Sequence, residues 1–399
     1  MSNTDRSIAV IGAGSTGASV AYHLAKMGQM VAIIDKGQPA SGMTSRSTAL
    51  VRNHYSNEIV VRMAHYSLQV LRNFGDVGTS GFVNNGMLFL ANSEFKEVTS
   101  AVLPLLAKVG VKAEYFERQE ALKRFPELRL NEDEFVEYEP ESGYADPVAT
   151  ANSYVSKARE LGAQILVGKE ARKLTRDASG MVDGVEFAGG GHIHCSKVVI
   201  CTNVWTNKLL ANSEIREENA LPLWAAAHPV IILRRPLTYN GIHPNVADLP
   251  NKTYYKPEGN SLFFAGSLDP EFDSRRVEPE SSPAEVSFEY LNFFSEVVST
   301  RIPVMREGVF HSSYVGMYDM TPDQHPIIDE LSQVGLPGAF CCVGLSGHGF
   351  KLCPALGLMT AEMVSATEEM TFDWRHFSLS RFKTGKLLTS KYASINTIA

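Results

Sequence analysis

Two groups of residues have the types and spacing to do chemistry. Near the start, Gly12, Gly14 and Gly17 stand at G-x-G-x-x-G spacing, with Asp35 at the end of the next apolar run. Gly12 suits a tight turn, Gly14 lets a pyrophosphate approach the backbone, and Gly17 lets a helix pack close to a sheet. Asp35 can accept hydrogen bonds from a ribose diol and would repel a 2'-phosphate. Far later, "GLSGHGFK" (Gly344 to Lys351) follows the apolar run "AFCCV" and precedes "PALGLMTAEMV". A strand, a glycine-rich turn and a helix at that place present a helix N-terminus, a partial positive charge suited to an anion or an electron-rich ring. A lysine there is unfavourable by about 0.3 to 1 kcal/mol unless it reaches away towards a carboxylate.

The elements that position these groups can be read from apolar spacing. "SIAVI" suits a buried strand, Val20, Leu24 and Met27 mark a helix ended by Gly28, and "MVAII" is a second strand. This βαβ context reads as an adenine-dinucleotide site and leaves FAD and NAD both open. The loop after Asp35 is expected to run alongside the cofactor, and a helix starts near Ser56 or Asn57. "GFVNNGMLFLAN" reads as a hairpin around Asn85-Gly86, followed by two helical stretches. A helix over Val148 to Leu161, the strand "AQILVG", a meander in "MVDGVEFAGGGHIHCS" and the buried strand "KVVICTN" come next. Antiparallel character then returns with "PVIILRRP" and a hairpin turning at Pro257 to Asn260. A helix is expected from Pro283 to Thr300, strands in "EGVFHSSYVGMYDMTPDQHPIID", and a last helix from Pro354 to about Glu368.

The predicted fold class is α/β, with the chain alternating between two bodies. Residues 1–80, 147–219 and 320–399 are assigned to a Rossmann-type nucleotide domain with a parallel sheet. Residues 81–146 and 220–319 are assigned to an antiparallel-sheet substrate domain, and a ligand would lie between the two.

Composition excludes several classes. A chain of 399 residues, 44% of them hydrophobic, can bury a large core. A formal net charge of -7 and the lack of a basic run give no reason to expect nucleic acid. The polar opening "MSNTDRS" has no apolar signal core, and no apolar run is long enough to span a bilayer, so no membrane is expected and the location is expected to be cytoplasmic. Five cysteines without CxxC or metal-ligand spacing fit reduced thiols, with Cys341 and Cys342 pointing to opposite faces of a strand. The histidines show no ligand spacing either, so no metal is expected.

The fingerprint, "MYDMTPDQHPIID" and "GLSGHGFK", in that order over nearly the whole chain, resemble the glycine/D-amino-acid oxidase family of flavoproteins, most of all sarcosine oxidases and related secondary-amine oxidoreductases. The resemblance implies FAD rather than NAD. It implies that Arg52 of "TALVR" and Lys351 hold a substrate carboxylate, with Tyr318 of "MYD" and Tyr55 shaping the amine pocket. It places Lys36, Ser45, Arg46, Ser47 and Thr48 on the loop lining the flavin, together with Ser15 and Thr16 beside the glycines. Ala171 would meet the adenine, and Gly347, His348, Gly349 and Phe350 would lie against the ring. Where some relatives carry a flavin-linked cysteine this chain has Gly316, which implies non-covalent FAD. Where they carry an oxygen-activating lysine and a nearby histidine it has Phe264 and Leu268, with Lys256 close by as a possible substitute. "YADP" puts Ala145 where an FMN-holding histidine would stand.

The expected activity is therefore oxidation of the C–N bond of a small amino acid, N-methylated or cyclic, with oxygen or an electron carrier as acceptor. Other readings stay open. They are action on glycine or a primary D-amino acid, an NAD-dependent dehydrogenase, a flavoprotein subunit passing electrons to a partner subunit, and a non-catalytic flavin-binding protein.

Overall fold

The structure, a computed structural model, describes residues 7–273, 275–281 and 285–392. The polar opening "MSNTDR" lies outside them. Two sheets organise the chain. One has six strands in the order Ile327–Glu330, Ala339–Val343, Lys197–Ile200, Ile8–Ile11, Val31–Asp35 and Gln164–Val167. Its first pair is antiparallel and the rest are parallel. The central strands are buried along their whole length, as unbroken apolar runs such as "IAVI" require. A three-stranded meander of Ala171–Arg176, Val182–Phe187 and His192–His194 lies beside them in sequence.

The other sheet has eight strands, running from Val309–Met320 through Trp224–Arg234 to Glu114–Glu117. It is antiparallel except where Asn245–Asp248 meets Met87–Ala91. The helix Phe288–Arg301 is fastened to this sheet by a buried cluster. Arg301 bonds Glu134 at 2.6 and 3.0 Å and Asp248 at 2.8 and 2.9 Å.

Three local expectations are corrected. Asn85-Gly86 is not a hairpin turn: Met87–Ala91 pairs with Phe135–Glu139 and Asn245–Asp248, both distant in sequence. Gly86 is left-handed at φ +80°, Tyr138 fills the space where its side chain would stand, and the Asn85 amide donates to His243 O at 2.7 Å. The helix expected from Pro283 begins at Phe288, where Ser287 Oγ accepts from Tyr290 N at 3.2 Å; Pro283 itself lies outside the described residues. The last helix runs Gly349–Ser365, with Pro354 inside it. It starts early because Gly344, Ser346 and Gly347, at φ +70°, +46° and +82°, complete the reversal before His348.

The helices Ser15–Lys26 and Gly349–Ser365 pack together with almost no side chain between them at one point. A Cβ on Gly357 would stand 2.1 Å from Ser19 Oγ and 2.7 Å from the Ser19 carbonyl carbon. Each helix follows a strand of the parallel sheet, so this contact sets two helix N-termini against one cavity. Gly357→Val should lower stability by about 1–3 kcal/mol, the usual cost of overpacking, and so lower the urea midpoint. An unchanged midpoint in urea would remove the contact from the framework of the site.

Candidate active site

The glycine turn is held by backbone crowding. A Cβ on Gly12, which sits at φ +105°, would lie 2.4 Å from the Cys201 carbonyl oxygen, and one on Gly17 would lie 1.9 Å from Gly12 O. Beside Gly14 the space is taken by Thr44, whose hydroxyl accepts from Ser15 N at 3.0 Å. This threonine, not singled out from its spacing, ties the following loop to the turn. Asp35 accepts from Ala13 N at 2.7 Å and from Gly37 N at 2.8 Å, so it organises the turn and the loop and keeps lone pairs for a ribose.

One cavity of about 640 Å³ joins this turn to the late helix. Gly12, Gly14, Ser15, Thr16 and Gly17 form part of its wall. Asp35, Lys36 and Ala171 line it as well, and Lys36 Nζ lies 3.9 Å from the centre of the Trp205 ring. From the loop come Arg46, Ser47 and Thr48, and from the late turn and helix come Gly347, Gly349, Phe350 and Lys351. Arg52 and Tyr318 complete the set. Three predicted residues are not on the wall. Ser45 turns its hydroxyl to Gly42 O at 2.9 Å, on the exposed side of the loop. Tyr55 and His348 are buried behind the wall, with Tyr55 OH and His348 Nδ1 sharing a 3.1 Å hydrogen bond.

Arg52 and Lys351, far apart in sequence, meet here. Arg52 is 4% exposed and Lys351 9% exposed. The Arg52 guanidinium lies 4.3 Å from the Tyr55 ring centre, and its Nη1 donates to the His54 carbonyl. The Lys351 ammonium donates to Gly347 O at 3.2 Å and meets no carboxylate among the described residues. Burial, and then Arg52, push the Lys351 amine well below the usual lysine range. Burial, and then Lys351 and Arg52, likewise keep His348 neutral. Burial pushes the Tyr55 hydroxyl up to about 12. Tyr55 and His348 are thus an uncharged support beneath two crowded cations.

The antiparallel sheet supplies the opposite wall. Tyr318, His228 and Tyr254 come from three of its strands. His228 stacks on Tyr318 with ring centres 4.4 Å apart, and its Nε2 lies 3.0 Å from Tyr254 OH. His228 lies in "LPLWAAAHP" (Leu221 to Pro229), a stretch expected from sequence to shape the pocket but without a place in it; the pairing Ala226↔Tyr318 fixes that place. Tyr254 was not singled out from sequence. Next to Tyr318, Asp319 accepts from Gly344 N at 2.6 Å and Asn203 Nδ2 at 2.8 Å, holding the late turn. Burial raises its carboxyl to about 7 against those donors. A Cβ on Gly316 would meet only ordinary contacts, the nearest being Arg46 Cβ at 3.6 Å. Lys256 is not on the wall: it is buried against Thr48 O at 2.8 Å and pairs with Glu258. Leu268 does line the cavity.

Such a cavity sets a redox dinucleotide beside a seat for an anion, which is the task of an oxidoreductase. The chain belongs to the DAO family, FAD dependent oxidoreductase, which it matches over residues 7–363. It is 24% identical over 375 residues to the mitochondrial sarcosine dehydrogenase of Homo sapiens, covering 90% of this chain and 39% of that protein. It is 25% identical over 392 residues to the N-methyl-L-tryptophan oxidase of Salmonella typhi, covering 94% of this chain and 98% of that one. Among solved structures, the L-proline dehydrogenase from P. horikoshii superposes with a TM-score of 0.86 at 26% identity, over 96% of this chain and 99% of that one. A glycine oxidase from Geobacillus kaustophilus shares the fold with a TM-score of 0.79 at 22% identity, over 94% and 98%.

The wall itself suits FAD. Thr16 and Asn203 are among the lining residues, and Thr16 Oγ1 has no hydrogen-bond partner among the described residues. The N–H groups of Gly349, Phe350 and Lys351 open a helix and so have no partner within it. Phosphate and ring oxygens would accept from these N–H groups. Among the described residues no cluster could hold a metal ion and no helix is long and apolar enough to cross a membrane.

A bound carboxylate would return the Lys351 amine towards its ordinary range, so binding takes up a proton wherever the pH exceeds the free-protein value. Affinity is then flat below that value and weakens above it by up to about tenfold per pH unit. Lys351→Met should weaken acetate binding by about tenfold or more and flatten this dependence. Titrations of the flavin absorbance with acetate at a series of pH values measure both effects.

Proposed function

We propose that the chain oxidises the C–N bond of a small amino acid, N-methylated or cyclic, and that Arg52 and Lys351 anchor its carboxylate. The observation that carries this reading is the convergence of those two buried cations, one of them without a carboxylate partner among the described residues, on the cavity that also holds the dinucleotide turn. A planar guanidinium and an ammonium on one carboxylate give both orientation and charge. Bound FAD supplies the two-electron acceptor.

The chain's residues then have separable tasks. Arg52 and Lys351 fix the carboxylate end, so the carbon bearing the amine lies at a set distance from the late helix. Tyr318, His228 and Tyr254 form an aromatic wall with a polar edge that can face a neutral amine. The late helix N-terminus favours negative charge developing beside it. The amine loses a hydride equivalent and a proton, and water converts the resulting imine to amine and carbonyl products. Orientation of the C–H bond is the main source of rate. The names of the relatives, a sarcosine dehydrogenase, an N-methyl-L-tryptophan oxidase and an L-proline dehydrogenase, agree with a secondary amine.

A dehydrogenase that passes electrons to a carrier or a partner subunit is the second reading. It is favoured by Leu268 on the wall and by Lys256, whose ammonium is engaged with Thr48 and Glu258 instead.

Anaerobic addition of N-methyl and cyclic amino acids should bleach the flavin absorbance, and primary amino acids should do so more slowly. Absence of bleaching by every secondary amine would overturn the substrate class, and slow recolouring in air would support the dehydrogenase reading. With Gly316 in place of a linking cysteine, acid precipitation should leave the flavin in the supernatant. Colour retained in the pellet would mean a covalent link at another residue.

A further inference from the structure

Behind Arg52 lies a buried polar cluster that the proposed reaction does not use. His54 is 1% exposed, and of its ring nitrogens only Nε2 is hydrogen-bonded, lying 2.5 Å from Tyr392 OH. Nδ1 stands 3.1 Å from Glu137 Oε2 without hydrogen-bond geometry. The imidazole also stacks on Phe89 with ring centres 4.1 Å apart. The carbonyl of the same His54 accepts from Arg52 Nη1. Asn53, between the two, is held by Glu139, which accepts from its N–H at 2.9 Å and its amide at 3.2 Å. Glu137 and Glu139 project from one face of the strand Phe135–Glu139.

Tyr392 reaches His54 from the last segment that the structure describes. That segment is laid down along the start of the Glu58–Arg72 helix. Asn57 Nδ2 donates to Thr389 O at 3.3 Å, and Lys391 N donates to Ser56 Oγ at 3.0 Å. Asn57 and Ser56, expected from sequence as helix caps, therefore serve this contact; Asn57 makes no side-chain cap bond. Upstream, Leu388 N donates to Asp323 Oδ2 at 3.3 Å, where Asp323 is clamped by Arg381 at 2.7 and 2.9 Å. The tyrosine ends 1% exposed, and burial pushes its hydroxyl well above the usual range, so it stays a neutral hydrogen-bonding group.

We propose that Tyr392 holds His54 through its ring Nε2 and thereby positions Arg52, making Tyr392 a positioning residue for the substrate carboxylate. A guanidinium on a long side chain has many rotamers, and Arg52 is aimed by the His54 carbonyl on one side and the Tyr55 ring on the other. Losing this hold on the His54 side chain would loosen the backbone at His54 and let that carbonyl drift. The brace acts on the orientation of one cation and does not touch the dinucleotide turn. The inference rests on the reading of Arg52 as a carboxylate anchor.

The test uses the full chain with its flavin and compares Tyr392→Phe with Arg52→Met. The readouts are flavin content, thermal midpoint and acetate affinity from the flavin absorbance. Tyr392→Phe should weaken acetate binding by about three- to tenfold, the scale of one hydrogen bond, with flavin content unchanged. If Arg52→Met leaves acetate affinity unchanged, the carboxylate reading itself fails. If Arg52→Met weakens binding while Tyr392→Phe matches the parent, the brace is refuted and the reading of Arg52 stands. If Tyr392→Phe loses flavin or cooperative unfolding, the contact is structural and the positioning role is likewise refuted.

Discussion

The contact between Ser19 and Gly357 decides where everything else can be. Two helices that each leave a strand of the parallel sheet approach so closely there that a single methyl group would not fit. Their N-termini are consequently turned to one cavity, one beside the glycine turn and the other beside Lys351. Helix N-termini carry partial positive charge and open N–H groups, so the framework alone favours an electron-rich, anionic ligand before any side chain is counted.

The side chains then add to the same sign of charge. Arg52 and Lys351 are both buried, and Arg52 makes the charge on Lys351 more costly. Tyr55 and His348 beneath them are held uncharged, which supports the cations sterically without neutralising them. Glu137 and Glu139 stand further back in the sheet, beside His54 and Asn53. An anion bound between Arg52 and Lys351 would also stabilise the folded state by mass action.

The parts of this arrangement that were legible in the sequence are those set by local rules. The βαβ unit, Asp35 and the glycine run before Lys351 each obey a spacing that one segment carries alone. What was missed depends on partners remote in sequence. His228 and Tyr254 reach the wall only because their strands pair in a register that no local pattern states. Asn85-Gly86 carries a strong hairpin signal, yet Met87–Ala91 finds its partners near residues 137 and 247. Pro354 reads as a helix start because proline favours the first turn, whereas the three left-handed residues before His348 begin the helix sooner. Ser45, Tyr55 and His348 were named through resemblance, and the structure places all three off the wall because their side chains satisfy one another or the loop backbone.

The loop between Asp35 and Arg52 owes its shape to both sheets at once. Arg46 Nη1 donates to Val315 O at 2.8 Å, Lys256 donates to Thr48 O at 2.8 Å, and Met317 N meets Met43 Sδ at 3.2 Å, each across more than two hundred residues of chain. None of these ties can form until residues from the far end of the antiparallel sheet have arrived. During synthesis the dinucleotide turn can assemble early from its own segment, but the covering loop must wait for most of the chain to leave the ribosome. The cofactor cavity is thus a late product of folding, and a partly made chain would carry an open nucleotide turn without the enclosure that retains a flavin.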